Sequence, residues 1–167
     1  MFEAFAWEIE HADSIPDVAT YWHYRNHFVA VYPYLELWRL AMGVPLRELA
    51  ETGRGLERLS VELTVLVNDL LSVQRDTDER KHNLISSLAR DLEGSVELAL
   101  VEATRMLDTR VCEFERLQNR LDLPADSALA HYVAFLSAVP EGTRQAMTEL
   151  RKRYPEPSPG GSSSPSS

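Results

Sequence analysis

Between short breaks, apolar residues along this chain recur with a 3.6-residue period, so each segment carries an apolar and a polar face. The breaks fall at DSIP (13–16), around Tyr32–Pro33, and at MGVP (42–45), TGRG (52–55), EGS (93–95), DLPADS (122–127) and VPEG (139–142). No run of β-branched alternation bounded by turn residues interrupts the pattern, and no internal repeat is visible. The chain is therefore expected to be all-α. Two long helices should dominate it, one over roughly 55–77 and one over roughly 82–121 with a bend near Gly94. Asp13 and Ser14 ahead of Pro16, and Asp126 and Ser127 ahead of ALAHYVAFL, look like helix N-cap chemistry. The stretch PEPSPGGSSSPSS (155–167) cannot bury enough apolar surface to offset its ordering entropy, so a disordered tail is expected after a folded unit over 1–154.

Composition narrows the function classes. A chain of 167 residues suits one domain with a real core. A net charge of −9 argues against a sequence-independent nucleic-acid binder, which would need a basic stripe, but not against an anion held through metal ions. The single Cys112 rules out an internal disulfide framework and a Cys-rich zinc site. The opening MFEAFAWEIEHAD has acidic residues within its short apolar run, unlike a signal peptide, and no apolar run is long enough to span a membrane. A cytoplasmic protein is expected. The five histidines form no metal-ligand spacing, and no Gly-rich phosphate loop, nucleophile elbow or Cys–His pair is visible.

Residues 61–76, VELTVLVNDLLSVQRD, break the apolar pattern from within: the run stays greasy to Val67 and then sets Asn68 beside Asp69. Burying a neutral polar group without a partner costs on the order of 2–7 kcal/mol, and a charge costs more. On a helix, Asn68, Ser72 and Asp76 follow at i, i+4 and i+8, each step turning the direction by only about 40°. Arg75 falls within about 20° of Asn68, whereas Asp69 points about 100° aside, where a supporting hydrogen-bond role suits it. Amide, hydroxyl and carboxylate oxygens are the hard donors that Mg²⁺ accepts beside water and phosphate oxygens, and a guanidinium suits a phosphate group. A solvated stripe or a satisfied buried network would leave the same spacing. The preceding apolar run weakens the stripe and leaves the network open.

VNDLLSVQRD, continued by TDERKHNLI, resembles the second metal-binding motif of bacterial class I terpene synthases. That motif reads Asn-Asp, two residues, Ser, three residues, Glu, with Lys or Arg before the Glu and Asn-Leu-Val following. Asn68, Asp69, Ser72, Arg75, His82, Asn83, Leu84 and Ile85 fit it, and Asp76 stands where the family normally has Glu. The segment FAWEIEHADSIPDVATYWHYR (5–25) resembles the family's stretch ending in Tyr-x-x-x-Arg, with Arg25 at the diphosphate-sensing position. Phe28, Val29 and Ala30 lack the Thr or Asp and the Gly that usually follow. GSVELALVEATRMLDTRVCEFERL (94–117) is similar to the helix after the metal motif, and Arg153-Tyr154 to an Arg-Tyr pair whose Arg bonds diphosphate oxygens. Met147 stands near the place of the Trp usual a few residues earlier.

The resemblance covers residues 2–154 and implies the C-terminal half of the α-helical bundle of these cyclases. It implies Mg²⁺ at Asn68, Ser72 and Asp76, and diphosphate contacts from Arg25, Arg75, Arg153 and Tyr154. The substrate class it implies is a prenyl diphosphate, with farnesyl diphosphate favoured, ionised and then cyclised as a carbocation inside an apolar, aromatic cavity. Phe5, Tyr32, Trp38 and Phe135 are candidate wall residues, and equally plain core. The family's Asp-rich DDxxD motif is absent from these residues; DTDER (76–80) follows the second motif and is no substitute. Two readings follow: a truncated or split cyclase polypeptide, inactive alone, whose partner supplies the Asp-rich half or which pairs with itself; or a non-catalytic helical module derived from such an enzyme.

Overall fold

The apolar periodicity resolves into α1 (Phe2–Glu10), α2 (Val18–Phe28), α3 (Val31–Ala41), α4 (Glu51–Asp78), α5 (Leu84–Asp91), α6 (Val96–Gln118) and α7 (Ala128–Arg153), with no strand among the described residues. The computed structural model describes residues 2–28, 30–45 and 51–153. The expected tail and Tyr154 lie outside these residues, as does the side chain of Arg153 at the end of α7.

α4 is the axis of the fold and packs against α2, α3, α5, α6 and α7. Every residue from Leu59 through Leu66 is buried, which is the state of a helix enclosed on all sides rather than one lying on a surface. Its apolar residues divide between two clusters. Leu56, Leu59 and Leu63 pack with Val31 and Leu35 of α3, Phe114 of α6 and Tyr132 and Leu136 of α7. Val65 and Leu66 pack with Tyr21 of α2, Leu84, Ile85 and Leu88 of α5, and Ala99 and Ala103 of α6. Polar residues caught in this run find partners on α4 itself and on α6 and α7. Ser60 Oγ donates to Leu136 O at 2.8 Å, Thr64 Oγ1 to Ser60 O at 2.8 Å, and Glu62 accepts from Arg58 and Arg110.

Four boundaries differ from expectation. TGRG is the first turn of α4 and not a break: a side chain at Gly55 would meet Leu117 Cδ1 at 3.0 Å, so its glycine reflects close approach of α6. VPEG is helical too, with Pro140 inside α7. The helix expected over 82–121 is two helices, because Glu93 and Gly94 take successive positive φ angles of 58° and 88° before Ser95 caps α6, accepting from Leu98 N at 3.2 Å. At α2, Asp17 rather than Asp13 or Ser14 accepts from the backbone, with Thr20 N 2.7 Å from its Oδ1. Ser127 does cap α7, accepting from Ala130 N at 3.1 Å.

Candidate metal and anion site

The C-terminal half of α4 carries Asn68, Asp69, Ser72, Arg75 and Asp76, and the neighbouring elements decide what each can reach. Asp69 turns inward and is fully buried. It accepts from Tyr21 Oη, from Arg25 Nη2 at 2.8 Å and from Leu84 N at 3.1 Å, which binds α2 and the start of α5 to α4. Burial acts most strongly on its carboxyl and pushes the pKa up, while Arg25, Tyr21 and the Leu84 amide pull it down. Burial is the strongest influence on Arg25 too and works against its charge, but Asp69, Tyr21 and Asp76 together outweigh it and hold the guanidinium firmly protonated. The supporting role read for Asp69 thus has a concrete form.

Asn68, Ser72 and Asp76 do line up. Asn68 Oδ1 accepts from the same Arg25 Nη2 at 3.1 Å, and its amide nitrogen faces Met147 Sδ of α7 at 3.9 Å. Ser72, 2% exposed, donates its hydroxyl proton to Asp76 Oδ2. The other oxygen, Asp76 Oδ1, accepts from Arg75 Nε at 3.2 Å and Nη2 at 3.0 Å. Arg25, Asn68, Arg75 and Asp76 border one open pocket of about 640 Å³, with Glu8 of α1 and His82 across from them. Ser72 sits behind this rim. A smaller pocket of about 300 Å³ lies on the other side of Asp76, between residues 13–16 and the start of α5.

Two partners were not singled out for these roles from sequence. Tyr21 precedes Arg25 by one helical turn and so shares its face, a spacing that could have marked it. Asn83, just ahead of an apolar helix, has the position of an N-cap; its Oδ1 accepts from Ile85 N at 2.9 Å, and its Nδ2 reaches back to α4. His82 has both ring nitrogens against acceptors: Nδ1 lies 3.0 Å from Glu8 Oε2, and Nε2 lies 2.9 and 2.8 Å from His11 O and Ser14 O.

The donor set suits a hard divalent cation: one carboxylate, one hydroxyl and one amide oxygen on a single helix line, with guanidinium groups beside it. Among the described residues no group of three or more His, Cys, Asp or Glu side chains is placed to hold a metal. A cation here would rely on the Asn68 and Ser72 oxygens as much as on Asp76. The candidate wall aromatics lie elsewhere. The Trp38 and Phe135 rings meet at a tilt with centroids 5.0 Å apart, with Tyr34 5.7 Å from Phe135, and Phe5 is exposed on α1.

No helix among the described residues is long and apolar enough to cross a membrane. A family model described as terpene synthase family 2, C-terminal metal binding, matches residues 1–113. The (+)-eremophilene synthase of Sorangium cellulosum (strain So ce56) is 27% identical over 154 residues, or 86% of this chain. The chain spans about half the length of that relative, 46% of it. With the family match reaching from α1 to α6 and including the whole Asn68–Asp76 line, this chain belongs to terpene synthase family 2, as a C-terminal region of the bacterial class I type.

Proposed function

We propose that the chain is the metal-binding half of a cytoplasmic terpene cyclase acting on a prenyl diphosphate, with farnesyl diphosphate as the favoured substrate. One observation carries this reading: Asn68 and Asp76, with Ser72 between them, meet Arg25 and Arg75 at a single pocket. Asn68, Ser72 and Asp76 are assigned as ligands of Mg²⁺, which when bound would polarise the phosphate oxygens of the leaving group. Arg75, at the pocket rim, and Arg25, anchored behind it by Asp69, are assigned to neutralise charge that builds on departing diphosphate. Arg153 and Tyr154 are assigned the remaining diphosphate contacts on their sequence match.

Alone, the chain is expected to have little or no cyclase activity, because the DDxxD carboxylates, absent from these residues, would hold most of the metal, leaving one ion for Asn68, Ser72 and Asp76. Mixing or co-expressing it with a polypeptide carrying a DDxxD half, then analysing volatile products from farnesyl diphosphate, tests the assignment. Product that disappears with Asn68→Ala supports it; robust cyclisation by the purified chain alone would sink the split-enzyme reading. A second reading, a non-catalytic helical module, is favoured by Asp76 itself, whose two oxygens are both engaged by protein donors. It predicts no product in any combination.

A further inference from the structure

Asn83 touches two of the three proposed ligands without lying on their line. Its side chain is fully buried. Nδ2 donates to Asp76 Oδ2 at 2.9 Å and to the main-chain oxygen of Asp69 at 3.0 Å, and lies 3.4 Å from Ser72 Oγ. The two short contacts use both amide hydrogens. Ser72 Oγ therefore remains free to give its own proton to Asp76 Oδ2 and to present its lone pairs elsewhere.

The two oxygens of Asp76 stand in different surroundings. Oδ1 faces Arg75, whose side chain is 47% exposed and can swing into solvent or toward an anion. Oδ2 is held by two buried neutral donors, Ser72 and Asn83. A neutral amide fixes a carboxylate without cancelling the charge that attracts a cation, which a lysine or arginine at the same place would do.

We propose that Asn83 is a positioning residue of the cation site: it anchors Asp76 through Oδ2 and leaves Asp76 Oδ1 as the oxygen that would pass from Arg75 to the metal. This rests on the metal assignment of Asn68, Ser72 and Asp76. It adds the residue that caps α5, so the site is set by the junction of two helices and not by α4 alone.

The test is manganese(II) titrated into the full chain, with free ion followed by its paramagnetic resonance signal. Asn83→Ser keeps an oxygen to cap α5 and removes the amide donor. It is expected to retain the helical circular dichroism of the wild type and to bind manganese(II) roughly 10-fold or more weakly, the usual effect of losing a group that orients a ligand. A second measurement needs no variant: on adding magnesium to ¹⁵N-labelled wild-type chain, the side-chain amide signals of Asn83 and Asn68 should shift with one midpoint. Wild-type affinity in Asn83→Ser, or an Asn83 amide that stays still while Asn68 responds, overturns the positioning role alone. Manganese(II) binding that Asn68→Ala and Asp76→Ala both leave untouched overturns the metal assignment and the positioning role with it.

Discussion

Asp69 shows how one buried carboxylate can be obligatory without being a ligand. Its partners come from α2 and α5, and the Arg25 side chain paired with it is only 14% exposed. Removing one member of a buried pair strands the other charge, so Asp69→Ala should lose about 3–5 kcal/mol of unfolding free energy in urea. Arg25→Ala combined with it should cost less than the sum of the single changes; strict additivity would contradict the pairing. The sideways projection of Asp69 was legible from helix geometry alone. That Tyr21, beside Arg25 on α2, would meet Asp69 from 48 residues away was not, because nothing local says which helix will face it. His82 makes the second prediction at this scale. The Glu8 carboxylate against Nδ1 raises its pKa above the ordinary 6.5, and the His11 and Ser14 carbonyls add to this. The folded state then holds the proton more tightly than the unfolded chain, so this stabilisation is complete below the unfolded pKa and fades as pH rises through the folded one. The stability gap between wild type and His82→Gln should narrow from pH 6 toward pH 8. A gap independent of pH would remove the charged clasp.

Helix existence was easier to read than helix ends, for reasons visible in particular elements. Periodicity located α4 and the first part of α7, because apolar faces must be buried whatever the neighbours are. Glycine and proline then misled, since each serves two ends. Gly55 makes room for Leu117, and Pro140 is carried inside α7, where local signals suggested breaks. Gly94 had the opposite outcome: read as a bend, it is half of a full stop, because Glu93 shares its left-handed conformation. An alanine at Gly94 would meet no neighbouring atom, so the strain of φ +88° should act alone. Gly94→Ala is expected to cost about 1–2 kcal/mol in thermal or urea unfolding, with the helical spectrum unchanged. A neutral effect would mean that the α5–α6 junction is not fixed in this conformation.

At the scale of the molecule, the all-α architecture and the family were both legible, and the half-length of the match agrees with the missing DDxxD motif. What the sequence could not locate is the face left uncovered. Tyr34, Leu37 and Trp38 of α3 form one exposed apolar stripe, at 46%, 67% and 40% exposure, while Val31 and Leu35 on the same helix are buried. A stripe of this kind favours association. Sedimentation of the purified chain should show concentration-dependent self-association that Leu37→Lys with Trp38→Glu reduces. Monomeric behaviour at high concentration would argue that the stripe is harmless. The enclosure of α4 has a further consequence, in the time domain. Amide hydrogens between Leu59 and Leu66, buried in a helix wrapped by five others, can exchange with solvent only when the whole unit opens. Those near Asp78, at the helix end, can exchange by fraying. The line from Asn68 to Asp76 runs across that gradient, so its Asp76 end can loosen and reset many times while its Asn68 end stays locked.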